Sequence, residues 1–337
     1  MFLFRATRRS AYPLSRCLAY SRTLSVAPLH TGSPQAGPSS QSSVNPDEIA
    51  HFSKLSQAWW DERGEFGLLH KMNPVRIEFV RHKMLEMRRE DGLDDVSPTR
   101  PLNGLDVLDV GSGGGLLCET LARLGGRTLG IDASASNIAI ASLHASADPG
   151  LSSSQKGKGS LAYEHTSVED LLAQRGPKSF DVVCSMEVIE HVDNPATFLT
   201  NCATLVKPGG HLFLSTIART PLSYALTIFA AEQILRLVTP GTHTHSKYIN
   251  PDELTDFFLR LDSDAPAPSA VPNQSTAPRP WISRLYGGVP SRTEAEVRGI
   301  VYLPWKGEWM LVPRGSPGAS IWAEACNYLF WVRRPFE

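Results

Sequence analysis

The sequence is poor in cysteine, and its cysteines are not paired along the chain. There are five of them, an odd number, and no C-x-x-C motif; they are Cys17, Cys118, Cys184, Cys202 and Cys326. Small disulfide-stabilised domains and cysteine-based zinc sites both need cysteines at close, regular spacings. The sequence therefore predicts reduced thiols and argues against both classes.

Long apolar runs and an excess of positive charge are also missing. A membrane-spanning helix needs about 18 or more consecutive apolar residues, and no stretch of this chain approaches that length without charges. The formal net charge is -1, whereas nucleic-acid-binding proteins usually carry a clustered basic face. With 337 residues and 42% hydrophobic content, the composition indicates a globular protein that neither spans a membrane nor binds nucleic acid.

Acidic residues are absent from the first 46 positions. The same stretch is rich in serine and contains Arg5, Arg8, Arg9, Arg16 and Arg22. This composition is typical of a mitochondrial transit peptide, although a disordered basic tail would have the same features. We therefore predict that residues 1–45 are a transit peptide and a disordered linker, and that the protein lies in the mitochondrion.

The rest of the chain predicts a helical segment followed by an α/β domain. One amphipathic pattern begins near Ile49, and a second spans about Pro74 to Arg89. Residues 46–100 are therefore predicted to form the helical segment. From residue 101 to 337, short apolar runs alternate with helical patterns near 115–124, 135–146, 168–175 and 195–206. The predicted strands are Asp106–Val110, Arg127–Ile131, Ala162–His165, Phe180–Ser185, Gly210–Thr216, Glu296–Tyr302 and Asn327–Val332. These seven strands indicate a mostly parallel sheet flanked by helices, with flexible inserts at 148–160 and 263–280.

A glycine-rich turn connects the first predicted strand to the helix that follows it. Residues Val107–Gly115 read VLDVGSGGG, and a backbone without Cβ atoms lets N–H groups approach a ligand closely. Asp132 closes the second strand about 20 residues later, where an acid can accept hydrogen bonds from ribose hydroxyls. A dinucleotide fingerprint needs its third glycine where Leu116 stands, so a nicotinamide dehydrogenase is disfavoured.

From Asp109 the pattern is D-x-G-x-G-x-G, which resembles the first motif of class I S-adenosylmethionine-dependent methyltransferases. Three further segments match that fold in the same order, namely Val168–Asp170, Phe180–Val183 and Leu205–Gly210. The resemblance implies a Rossmann-like methyltransferase domain that binds S-adenosylmethionine, with the acidic residues of Val168–Asp170 beside the adenine.

The segment after the fourth predicted strand carries Glu187, Glu190 and His191. Ligands of open α/β sheets bind at the carboxyl ends of strands, and these spacings bring the three side chains to one side of a helical turn. Two interpretations remain open from the residues alone. The set could hold a divalent ion that stabilises a deprotonated catechol oxygen. Alternatively, the set holds no metal: the acids cap a helix, and His191 is either merely hydrogen-bonded or, in its neutral form, the general base.

Three segments narrow the resemblance further. Asp61–Arg76, together with Ser185–Val192 and Gly241–His243, is similar to the ubiquinone-biosynthesis 3-O-methyltransferases. The resemblance implies S-adenosylmethionine binding by Arg76, Gly111, Gly113, Asp132 and Met186. It further implies Mg²⁺ binding by Glu187, Glu190 and His191, with Glu187 and His191 in the catalytic role.

The same resemblance implies the substrates and the surroundings of the enzyme. The substrates would be catechol hydroxyls of polyprenylated precursors, both a polyprenyl-dihydroxybenzoate and a demethylubiquinol. The enzyme would be a peripheral protein on the matrix side of the mitochondrial inner membrane, within a multi-subunit biosynthetic complex.

The apolar segment Leu222–Val238 is too short and too charged to span a bilayer. It is either a helix buried over the active site or an interfacial helix that opens onto lipid and admits the prenyl tail. His243 and His245 follow it and are candidates, beside His191, for substrate contact or for the catalytic base.

Two other functions share parts of this pattern. A small-molecule C- or N-methyltransferase would have the same glycine loop but would not need a metal, so dependence on magnesium separates the two. A scaffold of the biosynthetic complex that only binds the cofactor would have no use for the set formed by Glu187, Glu190 and His191, which argues against that role.

Overall fold

An eight-stranded sheet forms the centre of the fold. The computed structural model describes residues 42–93, 95–152, 159–236, 238–262 and 279–336. The strands are β1 (Asp106–Val110), β2 (Arg127–Asp132), β3 (Ser160–His165), β4 (Phe180–Met186), β5 (Val206–Ile217), β6 (Leu285–Tyr286), β7 (Val289–Pro290), β8 (Ala295–Leu303), β9 (Glu308–Leu311) and β10 (Asn327–Arg333). The sheet order is β3-β2-β1-β4-β5-β10-β8-β9, while β6 and β7 form a separate hairpin. Strands β1 to β5 are parallel, and β10, β8 and β9 run antiparallel to their neighbours.

The helices pack on both faces of this sheet. The α-helices are α1 (Pro46–Leu55), α2 (Gly67–Glu90), α3 (Leu116–Arg123), α4 (Ala135–Ser146), α5 (Pro149–Ser152), α6 (Val168–Arg175), α7 (Pro195–Leu205), α8 (Pro221–Ser223), α9 (Pro251–Arg260) and α10 (Ala319–Trp322). Short 3₁₀ turns span Ser56–Ala58, Ile189–His191 and His245–Lys247, and a π-helix spans Tyr224–Ile234.

Three helices begin at an Asn-Pro pair, which explains where they start. Proline fits the first helical position because its fixed φ suits a helix and the missing N–H would have had no partner there. The side chain of Asn45 accepts hydrogen bonds from the backbone of α1, and that of Asn194 does the same for α7. At the start of α9, Oε2 of Glu253 accepts a hydrogen bond from the backbone N–H of Asn250 (2.9 Å). Each such cap stabilises a helix by about 1 kcal/mol.

Alternate residues of the central strands face two separate apolar layers. On one side, Leu108, Val183 and Leu212 pack with residues of α6, α7 and α9. On the other side, Val107 and Phe213 pack with residues of α2 and α3. Because both faces are covered, the strands are apolar almost throughout, as is usual for parallel sheets.

The fold class predicted from the sequence is confirmed. All seven predicted strands are present, although β5 begins at Val206 instead of Gly210. The sheet also has an eighth strand, β9, which the sequence does not predict because four residues are too few for a clear alternation. Trp309 of β9 donates a hydrogen bond from Nε1 to the carbonyl oxygen of Leu68 (3.2 Å), which ties this edge of the sheet to α2.

The predicted inserts and linker differ from the structure at their ends. Residues 149–152 of the insert predicted at 148–160 form helix α5, and β3 already begins at Ser160, while 153–158 lie outside the described residues. The insert predicted at 263–280 falls largely on 263–278, also outside them, but Pro280 pairs with Asp262. Residues 1–41 of the predicted leader likewise lie outside. Its end is corrected at Ser43, which is buried and hydrogen-bonds to Glu169.

Candidate active site

A cavity of about 840 Å³ opens at the carboxyl ends of the parallel strands. This is the edge of the sheet where ligands of open α/β folds bind. Most of the predicted site residues line it, namely Arg76, Gly111, Gly113, Asp132, Met186, Glu187, Glu190, His191 and His243. The structure therefore brings together side chains from distant parts of the chain. The first and last of them, Arg76 and His243, are 167 positions apart.

The glycine loop after β1 is held against the end of β2. The backbone N–H groups of Gly111 and Ser112 both donate to the carbonyl oxygen of Ile131 (2.9 Å each). The N–H of Gly113 donates to Oδ2 of Asp132 (2.9 Å), and the backbone of Ser134 donates to Oδ1 (2.8 Å). The loop and Asp132 thus form one rigid floor at this end of the cavity.

Trp59 packs directly on this loop. It stacks on Phe66 with ring centroids 3.8 Å apart, and its Nε1 donates to Oδ1 of Asn137 (3.1 Å). Gly113 has a φ of +53°, and a Cβ built there would lie 2.3 Å from Cζ2 of Trp59. Position 113 therefore requires glycine for two reasons: its backbone conformation disfavours other residues, and the indole of Trp59 leaves no room for a Cβ.

Arg76 of α2 is buried in the cavity wall, and some of its N–H donors have no hydrogen-bond partner. Its Nη2 lies 3.6 Å from Oε1 of Glu187, which is too long for a hydrogen bond, and its Nε and Nη2 have no hydrogen-bond partner. Asp109 lies nearby at the end of β1 and accepts a hydrogen bond from Sγ of Cys118 (2.9 Å). Burial raises the pKa of Asp109 to about 6.

Glu187, directly after β4, has a strained backbone. Its φ is +56°, a left-handed conformation that non-glycine residues rarely adopt. Its N–H donates to the carbonyl oxygen (3.0 Å) and to Oγ (3.1 Å) of Ser215 on β5, which holds the conformation in place. Such strain concentrates at functional sites, and here it turns the Glu187 side chain towards Arg76 and into the cavity wall.

Glu190 and His191 lie on the 3₁₀ turn and face separate partners. Oε2 of Glu190 accepts from Oγ1 of Thr216 (2.9 Å), whereas Oε1 is buried without a partner. Burial, with the nearby charge of Glu187, raises the pKa of Glu190. Nδ1 of His191 pairs with Oε2 of Glu48 on α1 at 3.1 Å. Burial alone would lower the pKa of His191, but this bond and the nearby carboxylates raise it.

Comparison with known proteins assigns the chain to a family. Residues 77–262 match the family model described as a methyltransferase domain. A ubiquinone biosynthesis O-methyltransferase of Bradyrhizobium sp. (strain ORS 278) is 43% identical over 218 residues, which cover 65% of this chain and 80% of that protein. The mitochondrial ubiquinone biosynthesis O-methyltransferase of Schizosaccharomyces pombe is 38% identical over 295 residues, which cover 88% of each chain. The chain belongs to the ubiquinone biosynthesis O-methyltransferases.

As a member of this family, the chain is an enzyme that uses S-adenosylmethionine, which confirms the predicted enzyme class and methyl donor. The individual roles predicted for Arg76, Gly111, Gly113, Asp132 and Met186 stay predictions, although all five lie on the cavity. Glu169, from the segment predicted beside the adenine, also lines it, and its Oε2 is buried without a hydrogen-bond partner.

The metal site predicted for this methyltransferase is not assembled. Within the described ranges, no three histidine, cysteine, aspartate or glutamate side chains form a group that could hold a metal ion. The sequence argument expected Glu187, Glu190 and His191 to converge on one side of a helical turn. In the structure Glu187 precedes the turn in a left-handed conformation, whereas Glu190 and His191 bond to Thr216 and Glu48.

The two further histidine candidates differ in position. His243 lines the cavity, and its Nδ1 lies 2.6 Å from Oε1 of Glu232. Burial lowers the pKa of His243, although Glu232 opposes the shift. His245 is not among the residues that line the cavity; its Nε2 lies 3.0 Å from the carbonyl oxygen of Thr220, and it packs against Tyr248.

Sequence reasoning missed Glu48, Trp59 and Glu232 as members of this site. Glu48 looks like an ordinary acid in the first turn of a helix, and Trp59 like part of an amphipathic pattern. Glu232 did carry a signal, since it is an acidic residue within an apolar segment. Such a residue needs a buried partner or an exposed position, and the sequence alone does not say which.

Proposed function

We propose that this chain transfers the methyl group of S-adenosylmethionine to catechol hydroxyls of polyprenylated ubiquinone precursors, namely a polyprenyl-dihydroxybenzoate and a demethylubiquinol. The observation that carries the proposal is one cavity that joins the glycine loop to the buried acidic and histidine side chains. Methyl transfer is an in-line displacement, and holding both reactants in one space removes most of the entropic cost of their encounter. The name of the curated relatives supports the substrate class.

The cofactor end of the cavity would work through fixed hydrogen-bonding groups. The unpaired guanidinium donors of Arg76 fit the carboxylate of the methionine part. Asp132 keeps acceptor capacity for the ribose hydroxyls, and the unpaired oxygen of Glu169 fits a polar edge of the adenine. Met186, at the end of β4, also lines the cavity and would contact the methionine part of the cofactor.

We also propose that Glu187, Glu190 and His191, which are not assembled as a metal site in the described residues, move together to hold Mg²⁺. The buried oxygens of Glu187 and Glu190 that have no hydrogen-bond partner support this, because carboxylate oxygens are the usual ligands of this ion. The bond from His191 to Glu48 is also typical of metal-binding histidines, whose second nitrogen usually contacts a carboxylate. When bound, the ion would favour the deprotonated form of a chelated catechol hydroxyl.

A transfer assay on the full-length protein tests both proposals. Label from S-adenosylmethionine is expected to pass to a dihydroxybenzoate that carries a short prenyl chain, to stop with EDTA and to return with Mg²⁺. Calorimetry should detect Mg²⁺ binding to the wild type and at least about tenfold weaker binding to Glu187→Gln. Transfer that is indifferent to EDTA would exclude the metal and keep the methyltransferase. Cofactor binding without transfer would favour a scaffold instead.

The substrate end of the cavity leads to an apolar surface formed by the helical segment 222–235. Its exposed residues are Leu222, Tyr224, Leu226, Phe229, Ile234 and Leu235, and their exposure favours the interfacial helix over a buried one. In the part of the chain that the structure describes, no helix is suited to cross a membrane. We infer that this surface lies in the lipid interface, so that a prenyl chain can enter the cavity beside Leu226 and Leu235.

Replacement of both Phe229 and Leu235 by Asp is expected to release the protein from liposomes in a flotation assay. Each exposed apolar side chain contributes about 1.5–3 kcal/mol when it enters lipid, and a charge reverses that gain. Leu143→Asp is the matched control, because Leu143 is 68% exposed on α4, outside this surface. Unchanged flotation of the double variant would contradict the proposed interface.

We propose a mitochondrial location on the matrix side of the inner membrane. The arginine-rich, acid-free leader supports import into the mitochondrion, and the relative from Schizosaccharomyces pombe carries "mitochondrial" in its name. The predicted membership of a multi-subunit complex stays a prediction.

A further inference from the structure

Glu232 is a buried carboxylate in an otherwise apolar, surface-exposed helix. Its side chain is 2% exposed, while the neighbouring Ile234 and Leu235 are about 60% exposed. Burial of a carboxylate costs free energy unless hydrogen bonds compensate for it, so the groups that donate to Glu232 indicate its role. All those that the structure gives it come from one short loop: the N–H of Gly241 (2.8 Å), the N–H of His243 (3.0 Å) and Nδ1 of His243 (2.6 Å).

This arrangement fixes the tautomer of His243. A carboxylate only accepts hydrogen bonds, so Nδ1 carries the proton and Nε2 keeps a free lone pair. The ring lines the cavity opposite His191, with ring centroids 6.2 Å apart. A carboxylate that orients a histidine in this way also stabilises the imidazolium that forms when Nε2 takes up a proton.

We propose that His243, oriented by Glu232, accepts the proton from the ring hydroxyl that is methylated. The proton moves from the hydroxyl to Nε2 of His243 as the oxygen forms a bond to the methyl carbon. The bond from that carbon to sulfur breaks, and its electron pair stays on sulfur, which becomes a neutral thioether. The imidazolium then releases its proton to solvent. His243 is thus a catalytic residue and Glu232 a positioning residue; the assignment rests on the proposed function.

The geometry favours His243 over the two other histidines. His191 belongs to the set of acidic and imidazole groups suited to hold a cation, and its carboxylate partner Glu48 is shared with Lys247 at 3.3 Å. The Nε2 of His245 is engaged by the backbone of the chain itself. Glu232, by contrast, accepts its hydrogen bonds from the loop that carries His243. Glu232 lies in the helical segment 222–235, which also carries the proposed lipid surface. Membrane docking and the orientation of His243 therefore depend on the same helical segment.

The test compares substrates whose hydroxyls differ in acidity. His243→Asn keeps a donor near the position of Nδ1 for Glu232 but has no proton acceptor in place of Nε2. On an ordinary prenylated catechol we expect kcat to fall about 100-fold, with the affinity for S-adenosylmethionine unchanged. On a nitro-substituted catechol, which is already ionised at the assay pH, the loss should be below about tenfold, since no base is then needed.

Two further variants keep the result interpretable. Glu232→Gln should follow the same pattern with a smaller loss, because the ring is less well oriented, and His245→Asn should stay within about twofold of the wild type. An equal loss of kcat on both substrates for His243→Asn would overturn the proposal, because it would indicate a structural role. A wild type that methylates neither catechol would overturn the proposed function as well, so the two failures are distinguishable.

Discussion

Glu296→Gln is expected to lower the free energy of unfolding by about 3 kcal/mol. Glu296 on β8 lies 2.5 Å from Nζ of Lys83, whose side chain is fully buried. The variant leaves that ammonium without its nearest counter-charge, and breaking a buried pair from one side costs more than the pair contributes. Glu86, at 3.3 Å from the same nitrogen, limits the loss. Urea unfolding followed by circular dichroism measures it.

The loss should also depend on pH. Burial alone would raise the pKa of Glu296, but Arg314 and Lys83 lower it from 4.5 to about 2. A carboxylate with a lowered pKa stabilises the fold above its ordinary pKa and ceases to do so as the pH falls through the lowered value. The difference between wild type and variant should therefore shrink between about pH 4.5 and pH 2.

Glu308→Gln on the neighbouring strand β9 is the matched control. Glu308 and its partner Lys306 are each 58% exposed, with 3.5 Å between the charged atoms. An exposed pair of this kind contributes less than about 1 kcal/mol. Equal losses in both variants would mean that burial of Lys83 is not what makes Glu296 important.

Gly113→Ala is expected to weaken binding of S-adenosylmethionine about 100-fold. The added Cβ would lie 2.3 Å from the ring of Trp59, so the loop or the indole must shift, and alanine disfavours the φ of +53° at this position. Together these effects cost about 3 kcal/mol, which corresponds to that factor in affinity. Isothermal titration calorimetry with the folded variant measures the change.

Two comparisons separate the contact from the backbone strain. Gly92→Ala meets nothing within 4 Å and also has a positive φ (+74°), so it reports strain alone and should leave cofactor affinity unchanged. Adding Trp59→Ala to Gly113→Ala removes the clash and should restore part of the affinity lost, measured against Trp59→Ala alone. If it restores none, the packing of Trp59 on the loop does not explain the need for glycine.

The positions of the glycine loop and of Asp132 were largely predictable because their signals are local. Glycines in a turn between a strand and a helix, and an acid at the end of the next strand, have the same meaning in any parallel α/β sheet. Asp132 and Gly113 accordingly form a direct hydrogen bond across the loop. The start of α1 at Asn45-Pro46 is equally local, since capping depends on neighbouring residues only.

The substrate end was predicted less well because its partners come from distant parts of the chain. Glu48 and His191 are 143 positions apart, and no periodicity links them. The spacing of Glu187, Glu190 and His191 suggested one helical face, but the left-handed φ of Glu187 places it off that face. A backbone conformation of this kind is imposed by contacts such as those with Ser215, not by the residue itself.

The fold class, the position of the glycine loop and the family of this protein follow from its sequence, because strand patterns, glycine turns and motif order are local features of the chain. The packing of distant elements, in contrast, placed His243 on the cavity with its Nδ1 against Glu232. Burial and hydrogen-bond partners depend on how distant elements pack, and the role of a buried carboxylate depends on the donors that packing brings to it.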